Sequence, residues 1–129
     1  MSEPVVFISH FRVKEGTLEP LKRLSEEVGV GILAEKPRTV AYLMYLDEQG
    51  TEMAVVHCFP DADSMDLHFE GADERSAAAY EFLEPRGWEI YGSPNEAAMG
   101  MMRQAATAAG VDLTVRPGYL GGFLRIQSG

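Results

Sequence analysis

Several short segments of the chain are rich in apolar β-branched and aromatic residues and are bounded by polar turn residues, a pattern typical of β-strands. The clearest segments are Val5–Val13, residues 39–46 and Glu52–Phe59. The last two are separated by residues 47–50, Asp-Glu-Gln-Gly, and this turn sequence predicts that they form a β-hairpin. A fourth and shorter strand is expected at residues 88–91.

Apolar residues at spacings of three and four predict three helical regions between these strands. The regions run over residues 17–31, 60–83 and 93–110, and each begins at residues that favour a helix N-terminus and ends near a glycine or a turn. The middle region is interrupted at Gly71 and is expected to resume over residues 76–83.

The predicted order is β-α-β-β-α-β followed by α-β. The first six elements match the ferredoxin-like arrangement, an antiparallel sheet with its helices on one face, so the fold class is α+β. Residues 111–126 predict one or two more strands. With 129 residues and no linker or internal repeat, the chain is expected to form a single domain, residues 1–129, with a core at 4–92 and an extension at 93–129.

The predicted strands are apolar at both parities, although helices cover only one face of such a sheet. In the third strand the two sets are Val55, His57 and Phe59 on one side and Ala54, Val56 and Cys58 on the other. A strand that is apolar on both sides is usually buried on both sides. We therefore expect a second copy of the chain to cover the other face, with folding of the extension over it as the alternative.

The composition is that of an ordinary globular protein, with 46% apolar and 24% charged residues. Acidic residues outnumber basic ones by 20 to 11, and residues 47–89 hold twelve acids against Arg75 and Arg86 only. Binding to phosphate groups needs clustered Lys and Arg, so neither nucleic acid nor an anionic membrane is expected as a partner. The acidic stretch is interpreted as a solvated helix surface.

The single cysteine, Cys58, excludes an intrachain disulfide and a cysteine-based metal site. The N-terminus has no basic segment before its apolar run, and no apolar run approaches the ~20 residues of a membrane span. A cytoplasmic location is therefore expected.

Three stretches of the sequence resemble the dimeric α+β barrel superfamily, and most closely its antibiotic-biosynthesis-monooxygenase-like branch. They are the end of the first strand with its turn at residues 11–16, Phe-Arg-Val-Lys-Glu-Gly, the hairpin from residues 41–43 to 55–59, and the acidic helix start at residues 61–64 followed by His68. The resemblance covers roughly residues 4–92 and implies the dimeric barrel as the final architecture.

The resemblance also implies a cavity between sheet and helices that takes small aromatic or polycyclic ligands. Some members of this superfamily oxidise such ligands with molecular oxygen and without metal or flavin, and others degrade haem. Members often carry tryptophan at the end of the third strand, where this chain has Phe59. An asparagine of the active members falls near Ser9 and His10 here.

Two histidines and a tyrosine are the candidate catalytic residues: His10, His57 and Tyr45. His10 and His57 are expected to face one cavity from adjacent strands, where an imidazole that titrates near neutral pH deprotonates a phenol. The candidate residues for substrate binding are Tyr42, Phe59, Met65, His68, Phe69 and Trp88. The alternative is that these histidines and aromatic residues are ordinary packed and hydrogen-bonded core groups.

No metal or other cofactor is predicted, because the histidines lack the close spacing of a metal site; His57 and His68 with Asp61 or Asp66 would be the candidates. The sequence thus predicts a small homodimeric monooxygenase, or a related enzyme, for an aromatic or polyketide-like compound. A binding or interaction module without catalysis remains the alternative, because one fold hosts many activities.

Overall fold

A computed structural model describes residues 3–125, and over this range one mixed sheet carries a layer of helices. In chain order the elements are β1 (Val5–Val13), α1 (Leu18–Glu35), β2 (Ala41–Leu46), β3 (Glu52–Phe59), α2 (Ala62–Phe69), α3 (Ala72–Ala79), β4 (Leu83–Tyr91), α4 (Glu96–Ala109) and β5 (Asp112–Arg116). The first six predicted elements occur in the predicted order, with the middle helical region divided at Gly71 as expected. Gly71 has a φ of +79°, a left-handed conformation that suits glycine.

The strands lie in the order β2-β3-β1-β4-β5, which is the ferredoxin-like arrangement with one strand added beside β4. Neighbours within the first four strands are antiparallel, whereas β5 is parallel to β4. The antiparallel sheet predicted for the first six elements is confirmed, and the added strand of the extension makes the whole sheet mixed. Its direction follows from α4, because a helix that crosses over between two neighbouring strands leaves them parallel.

Helix α1 continues four residues past its predicted end at Gly31 and finishes at Glu35. Its two glycines, Gly29 and Gly31, cost about 1 kcal/mol each relative to alanine. Ile32 follows them and is buried, so packing of the last turn against the protein offsets that cost.

The prediction of helix over residues 80–83 is wrong. Helix α3 ends at Ala79, and β4 begins at Leu83, where it pairs with Val13 of β1. The pairing shifts register between His10 and Phe11, opposite Pro85. Proline has no N–H to donate to a sheet, so it is found at such irregularities, and the early proline hid the strand from sequence analysis.

After β5, residues 117–125 form an irregular segment in which every residue is exposed; we call it the C-terminal tail. A second strand was considered for this region, and the described part of the tail has none. Ile126, at the end of the predicted segment, lies outside the described residues.

Alternate residues of each strand point to opposite faces, and all the helices pack on the same one, which we call the helix face. This face holds two separate cores. The α4-side core consists of Val5, Phe7, Phe59, Met65, Trp88, Ile90, Met99, Met102 and Ala106. The α1-side core consists of Val13, Leu21, Met53, Val55 and Leu83.

The opposite side of the sheet, the open face, has no element of residues 3–125 packed over it as a layer. Around its centre lie Val6, Ile8, Leu43, Ala54 and Val56, several of them half-buried only by their neighbours in the sheet. Leu43 and Tyr45 are exposed there. The predicted two-sided apolar sheet is therefore present, and no part of residues 3–125 covers its second side.

Candidate functional site

A cavity of about 330 Å³ lies between the helix face and the helices, where the two cores meet. Its walls are largely apolar and come from β1, β2, β3 and β4 on one side and from all four helices on the other. Its polar lining residues are Ser9, Ser25, Tyr42, His57, His68, Asp73, Arg75, Ser76, Tyr80 and Trp88. A concave, mostly apolar pocket of this size with a few polar groups is typical of a small-molecule site.

His57 lines the cavity from the sheet side. Its register partner on β1 is Phe7, whose ring stacks on the imidazole with 4.7 Å between centroids. The Nδ1–H of His57 donates to the Phe7 carbonyl at 2.9 Å. This bond fixes the tautomer, so that the other ring nitrogen, Nε2, carries a lone pair.

Tyr42 and His68 surround His57. The Tyr42 and His68 rings each lie edge-on to the His57 imidazole, with 5.1 Å between centroids. Tyr42 comes from β2, where it is the register partner of His57, and His68 comes from the last turn of α2. The Thr39 hydroxyl hydrogen-bonds to Nδ1 of His68 at 2.8 Å. Three ionisable rings thus meet at one end of the cavity.

Both histidines are neutral at pH 7. Burial lowers the pKa of His57 to about 4, and the nearby charge of Arg75 lowers it further against the opposing bond to Phe7. Burial, followed by the charges of His57, Arg75 and Lys36, lowers the pKa of His68 to about 3. Burial raises the pKa of Tyr42. The group is therefore uncharged and able to exchange hydrogen bonds with a ligand.

Arg75 supplies the positive charge at this end of the cavity. It lies on α3 and donates from Nη1 to the Glu70 carbonyl at 3.1 Å and from Nη2 to the His68 carbonyl. These carbonyls lie at the C-terminus of α2, where backbone acceptors lack helical partners. The guanidinium thus links α3 to the C-terminus of α2. Its positive charge also favours an anionic oxygen of a ligand in the cavity.

Several polar atoms of the cavity wall are left for a ligand or for water. Within residues 3–125, Tyr42 Oη, His57 Nε2 and Trp88 Nε1 make no side-chain hydrogen bond. Over the same range no side-chain nitrogen or oxygen is both fully buried and unpartnered. Tyr42, His57 and Trp88 all line the cavity, so these three atoms are polar groups of its wall that a ligand can use.

The structure brings together four of the six predicted binding residues: Tyr42, His68, Phe69 and Trp88 line the cavity. Phe59 and Met65 do not. Both are fully buried in the α4-side core, where the Phe59 ring lies 5.2 Å from that of His68. Phe59 therefore packs against the histidines from outside the cavity, and Met65 contributes to the same core.

The prediction that His10 and His57 face one cavity is corrected by the structure. His57 is opposite Phe7 in the sheet, and His10 follows Phe7 by three positions on β1. An odd separation along a strand turns a side chain to the other face, so His10 lies on the open face. Tyr45 is also on that face, where it shares a shallow depression with His10.

On the open face His10 belongs to a polar row across three strands. Its Nε2–H donates to Glu89 Oε2 at 2.5 Å, and Tyr91 Oη donates to Glu89 Oε1 at 2.6 Å. The Arg116 guanidinium lies 5.7 Å from the centroid of the Tyr91 ring. The bonds from Tyr91 and then His10 lower the pKa of Glu89, so the carboxylate is charged.

Sequence analysis missed Arg75 as a cavity residue, and it left Met101 and Met102 of α4 out of the candidate site residues. One signal for Arg75 was available, since it is one of two basic residues in the acidic stretch of residues 47–89. No comparable signal marked Met101, because a methionine stripe on a helix is usually core.

Two further observations concern other kinds of site. Among the described residues, no three His, Cys, Asp or Glu side chains come close enough to hold a metal ion. A search of the described helices found none that is both long and apolar enough to cross a bilayer.

Known proteins are similar to this chain in fold but not detectably in sequence. No protein-family model matches the sequence, and no curated protein is significantly similar to it. Among solved structures, SnoaB from Streptomyces nogalater, a cofactor-independent oxygenase, matches with a TM-score of 0.57 at 13% identity, covering 73% of this chain and 96% of SnoaB. A candidate antibiotic biosynthesis monooxygenase from Caulobacter crescentus matches with a TM-score of 0.60 at 12% identity, covering 69% and 88%.

The chain has the antibiotic-biosynthesis-monooxygenase-like fold. MupZ from Pseudomonas fluorescens shares more of the architecture, with a TM-score of 0.71 at 14% identity over 96% of this chain and 97% of MupZ. The two monooxygenase-like structures match about the share of the chain that the core at residues 4–92 occupies. MupZ is matched over nearly the whole chain, which includes most of the extension, and here helix α4 of the extension forms part of the cavity wall.

Proposed function

We propose that the cavity binds a small aromatic or polyketide-like molecule with a ring hydroxyl, and that the chain oxidises this molecule with molecular oxygen. The observation that carries the proposal is that Tyr42, His57 and Trp88, whose Oη, Nε2 and Nε1 atoms make no side-chain hydrogen bond within residues 3–125, line one largely apolar cavity. Apolar walls accept the rings, and the polar atoms orient the oxygen substituents. The likeness to SnoaB supports the reaction type by analogy of fold only.

His57 is the residue to which the ligand hydroxyl donates. Its Nδ1 is already occupied by the Phe7 carbonyl, so the lone pair on Nε2 faces the cavity. The positive charge of Arg75 disfavours protonation of His57 and equally favours an anionic ligand oxygen nearby. The site therefore stabilises the deprotonated, electron-rich form of a hydroxylated ring, with Tyr42 as a second hydrogen-bond donor.

An electron-rich ring anion is able to reduce oxygen without a further reductant. In the proposed monooxygenation a ring CH₂ loses two hydrogens and gains one oxygen atom as a carbonyl, while the second oxygen atom leaves as water. The substrate supplies all four electrons that reduce the two oxygen atoms, so the equation balances with oxygen as the only co-substrate.

Oxygen uptake in the presence of a hydroxyanthrone tests this proposal. We expect one oxygen molecule consumed per anthrone, and a fall in kcat/KM of about 100-fold in His57→Phe, which keeps the ring but removes the acceptor. The paired variant His10→Phe separates the two faces of the sheet. Unchanged oxygen uptake in His10→Phe would assign the chemistry to the cavity. A loss as large as that in His57→Phe would instead mean that the catalytic residues include His10 and Tyr45.

A binding protein without catalysis is the second candidate, and the pKa of His57 favours it. A histidine whose pKa is about 4 is a weak proton acceptor, so it suits a neutral hydroxyl better than a group that must lose its proton. Calorimetric binding of the anthrone, lost in His57→Phe and without oxygen uptake in the unaltered protein, would establish this alternative.

We also propose that a second copy of the chain covers the open face. The apolar centre of that face includes Ile8 and Val56, and the exposed side chains of Leu43 and Tyr45 extend it. Symmetric homodimers are the commonest way to bury such a surface. Sedimentation equilibrium at micromolar concentration checks this point: a clean monomer would contradict it.

A further inference from the structure

Each of the two cavity histidines uses one ring nitrogen for a contact with the protein and leaves the other without a partner. His57 hydrogen-bonds through Nδ1 to the Phe7 carbonyl at 2.9 Å, and His68 hydrogen-bonds through Nδ1 to the Thr39 hydroxyl at 2.8 Å. Burial lowers the pKa of both rings far below neutral pH, so each ring is uncharged and carries a single N–H. The partner of Nδ1 therefore decides which nitrogen carries the hydrogen.

The two partners differ in what they can do. A carbonyl oxygen only accepts, so Nδ1 of His57 carries the hydrogen and Nε2 has the lone pair. A hydroxyl both donates and accepts, but within residues 3–125 the Thr39 hydroxyl has no acceptor other than Nδ1 of His68. Donation by Thr39 gives its hydroxyl hydrogen an acceptor inside the protein. The hydrogen of the His68 ring is then on Nε2.

The Nε2 atom of His68 is available to a ligand. His68 is buried and lines the cavity, and its Nε2 makes no hydrogen bond to any described residue. Because no fully buried side-chain nitrogen or oxygen over residues 3–125 lacks a partner, this atom keeps some accessible surface. Thr39 holds the ring of His68 and Arg75 holds its carbonyl, so the donor is fixed before a ligand arrives.

We propose that His68 determines specificity by donating a hydrogen bond from Nε2 to a ring carbonyl of the substrate, while His57 accepts one from the ring hydroxyl. The two imidazoles lie edge-on with 5.1 Å between centroids, so a donor ring and an acceptor ring are neighbours on the cavity wall. The substrate class is then an aromatic ketone with a hydroxyl close to its carbonyl. The assignment rests on the proposed function, which supplies the hydroxylated aromatic ligand.

A neutral imidazole donor also suits the proposed oxidation. In the ring anion of such a ketone the carbonyl oxygen shares the negative charge, and a hydrogen bond to a charged oxygen is about twice as strong as one to a neutral oxygen. His68 therefore stabilises the anion more than the neutral ketone. Thr39 acts only through His68, so it is a positioning residue.

Nuclear magnetic resonance of isotope-labelled histidine nitrogens tests the tautomers in the protein alone. At pH 7 we expect the N–H on Nδ1 in His57 and on Nε2 in His68. Thr39→Val keeps the shape of the side chain and cannot donate, so His68 should lose its preference for the Nε2–H form, whereas Thr39→Ser should keep it. The matched control is Thr51→Val, whose hydroxyl bonds to Asp47, and it should leave both rings unchanged. A hydrogen on Nδ1 of His68 in the unaltered protein would overturn the proposal.

Calorimetry without oxygen tests recognition of the carbonyl. The probes are a hydroxyfluorenone and the matching hydroxyfluorene, which differ only in the ring carbonyl. We expect the ketone to bind about tenfold more tightly, as one additional hydrogen bond allows. His68→Phe should abolish that preference. His57→Phe is the matched control, and it should weaken binding of both compounds while the preference for the ketone remains.

The possible results distinguish a failure of this assignment from a failure of the proposed function. Equal binding of the two compounds, or a preference that survives in His68→Phe, would overturn the role of His68 and leave the hydroxyl site at His57 intact. A protein that binds neither compound would contradict the proposed function and the carbonyl site together. If His68→Phe does not fold, the tautomer of His68 in the unaltered protein still decides whether the donor exists.

Discussion

The two faces of the sheet put the same residue type to different uses. On the helix face, His57 is buried between Phe7 and Tyr42 and is held neutral. On the open face, His10 is half-exposed and donates to the charged carboxylate of Glu89. Both histidines stand on the central antiparallel pair β1–β3, so the difference comes from what lies above each face and not from the strands. The burial and neutral state of the cavity histidine therefore depend on the helices that cover the sheet as much as on the sheet itself.

The largest expected effect is a difference in unfolding free energy between a substitution on the helix face and one on the open face. Phe59→Ala, on the helix face, should lower the free energy of unfolding by about 4 kcal/mol, because a fully buried ring leaves a cavity. Leu43→Ala, on the open face, should lower it by less than about 1 kcal/mol in a single copy, where Leu43 is exposed, and by more in the proposed dimer. Urea unfolding measures both. A large loss in Leu43→Ala would mean that the open face is buried in solution.

Acid should destabilise the helix face through its histidines. In the unfolded chain their pKa is about 6.5, whereas folding lowers it to about 4 for His57 and about 3 for His68. The folded protein thus binds fewer protons, and its stability is complete above pH 6.5 and falls as the pH decreases. Between pH 6.5 and 5 each histidine should cost about 2 kcal/mol. Unfolding curves at both pH values check this, and His57→Gln should remove about half of the fall; an unchanged fall would contradict the assignment.

Removal of Arg75 should have a smaller effect on stability and a specific effect on the histidines. Arg75→Gln loses the bonds to the His68 and Glu70 carbonyls, worth about 1 kcal/mol. Because its positive charge opposes protonation nearby, the pKa of both His57 and His68 should rise in the variant. Nuclear magnetic resonance titration of the imidazole protons measures the shift. Arg86→Gln, the other arginine of the acidic stretch, should leave both histidines as they are.

The smallest effect is expected on the open face. Glu89→Gln weakens the pair with His10, and both side chains are partly exposed, so stability should change by less than about 1 kcal/mol. Thermal unfolding at low and at moderate ionic strength measures it. A loss of several kcal/mol would show that the pair is desolvated in an assembled form of the protein.

Sequence analysis predicted the sheet well, because β1 and β3 are rich in β-branched and aromatic residues and the turn at residues 47–50 identifies β2 as the hairpin partner of β3. It misplaced the start of β4, where Pro85 and the register shift break the alternation. Within the site, the residue types were visible but the grouping was not. The separation of His10 from His57 depends on which residue of β1 is paired with which residue of β3, and only the folded sheet shows that Phe7 is the partner of His57.

Arg75 illustrates a different limit. Its sequence neighbours on α3 are acidic residues and alanines, with an exposed surface on either side. Its importance comes from the turn at Gly71, which brings the guanidinium back to the end of α2. The contact depends on the left-handed conformation of Gly71. The sequence pattern predicts a break in the helix there, but it does not predict the direction in which the chain turns.

The position of Trp88 gives the molecule a built-in optical reporter. It is the chain's single tryptophan, it is buried, and its indole forms part of the cavity wall. Emission excited selectively in the indole therefore comes from the cavity and from nowhere else in the protein. The wavelength or intensity of this fluorescence should change when a compound enters the cavity, when water leaves it or when α4 moves. Ligand screening therefore needs no added label.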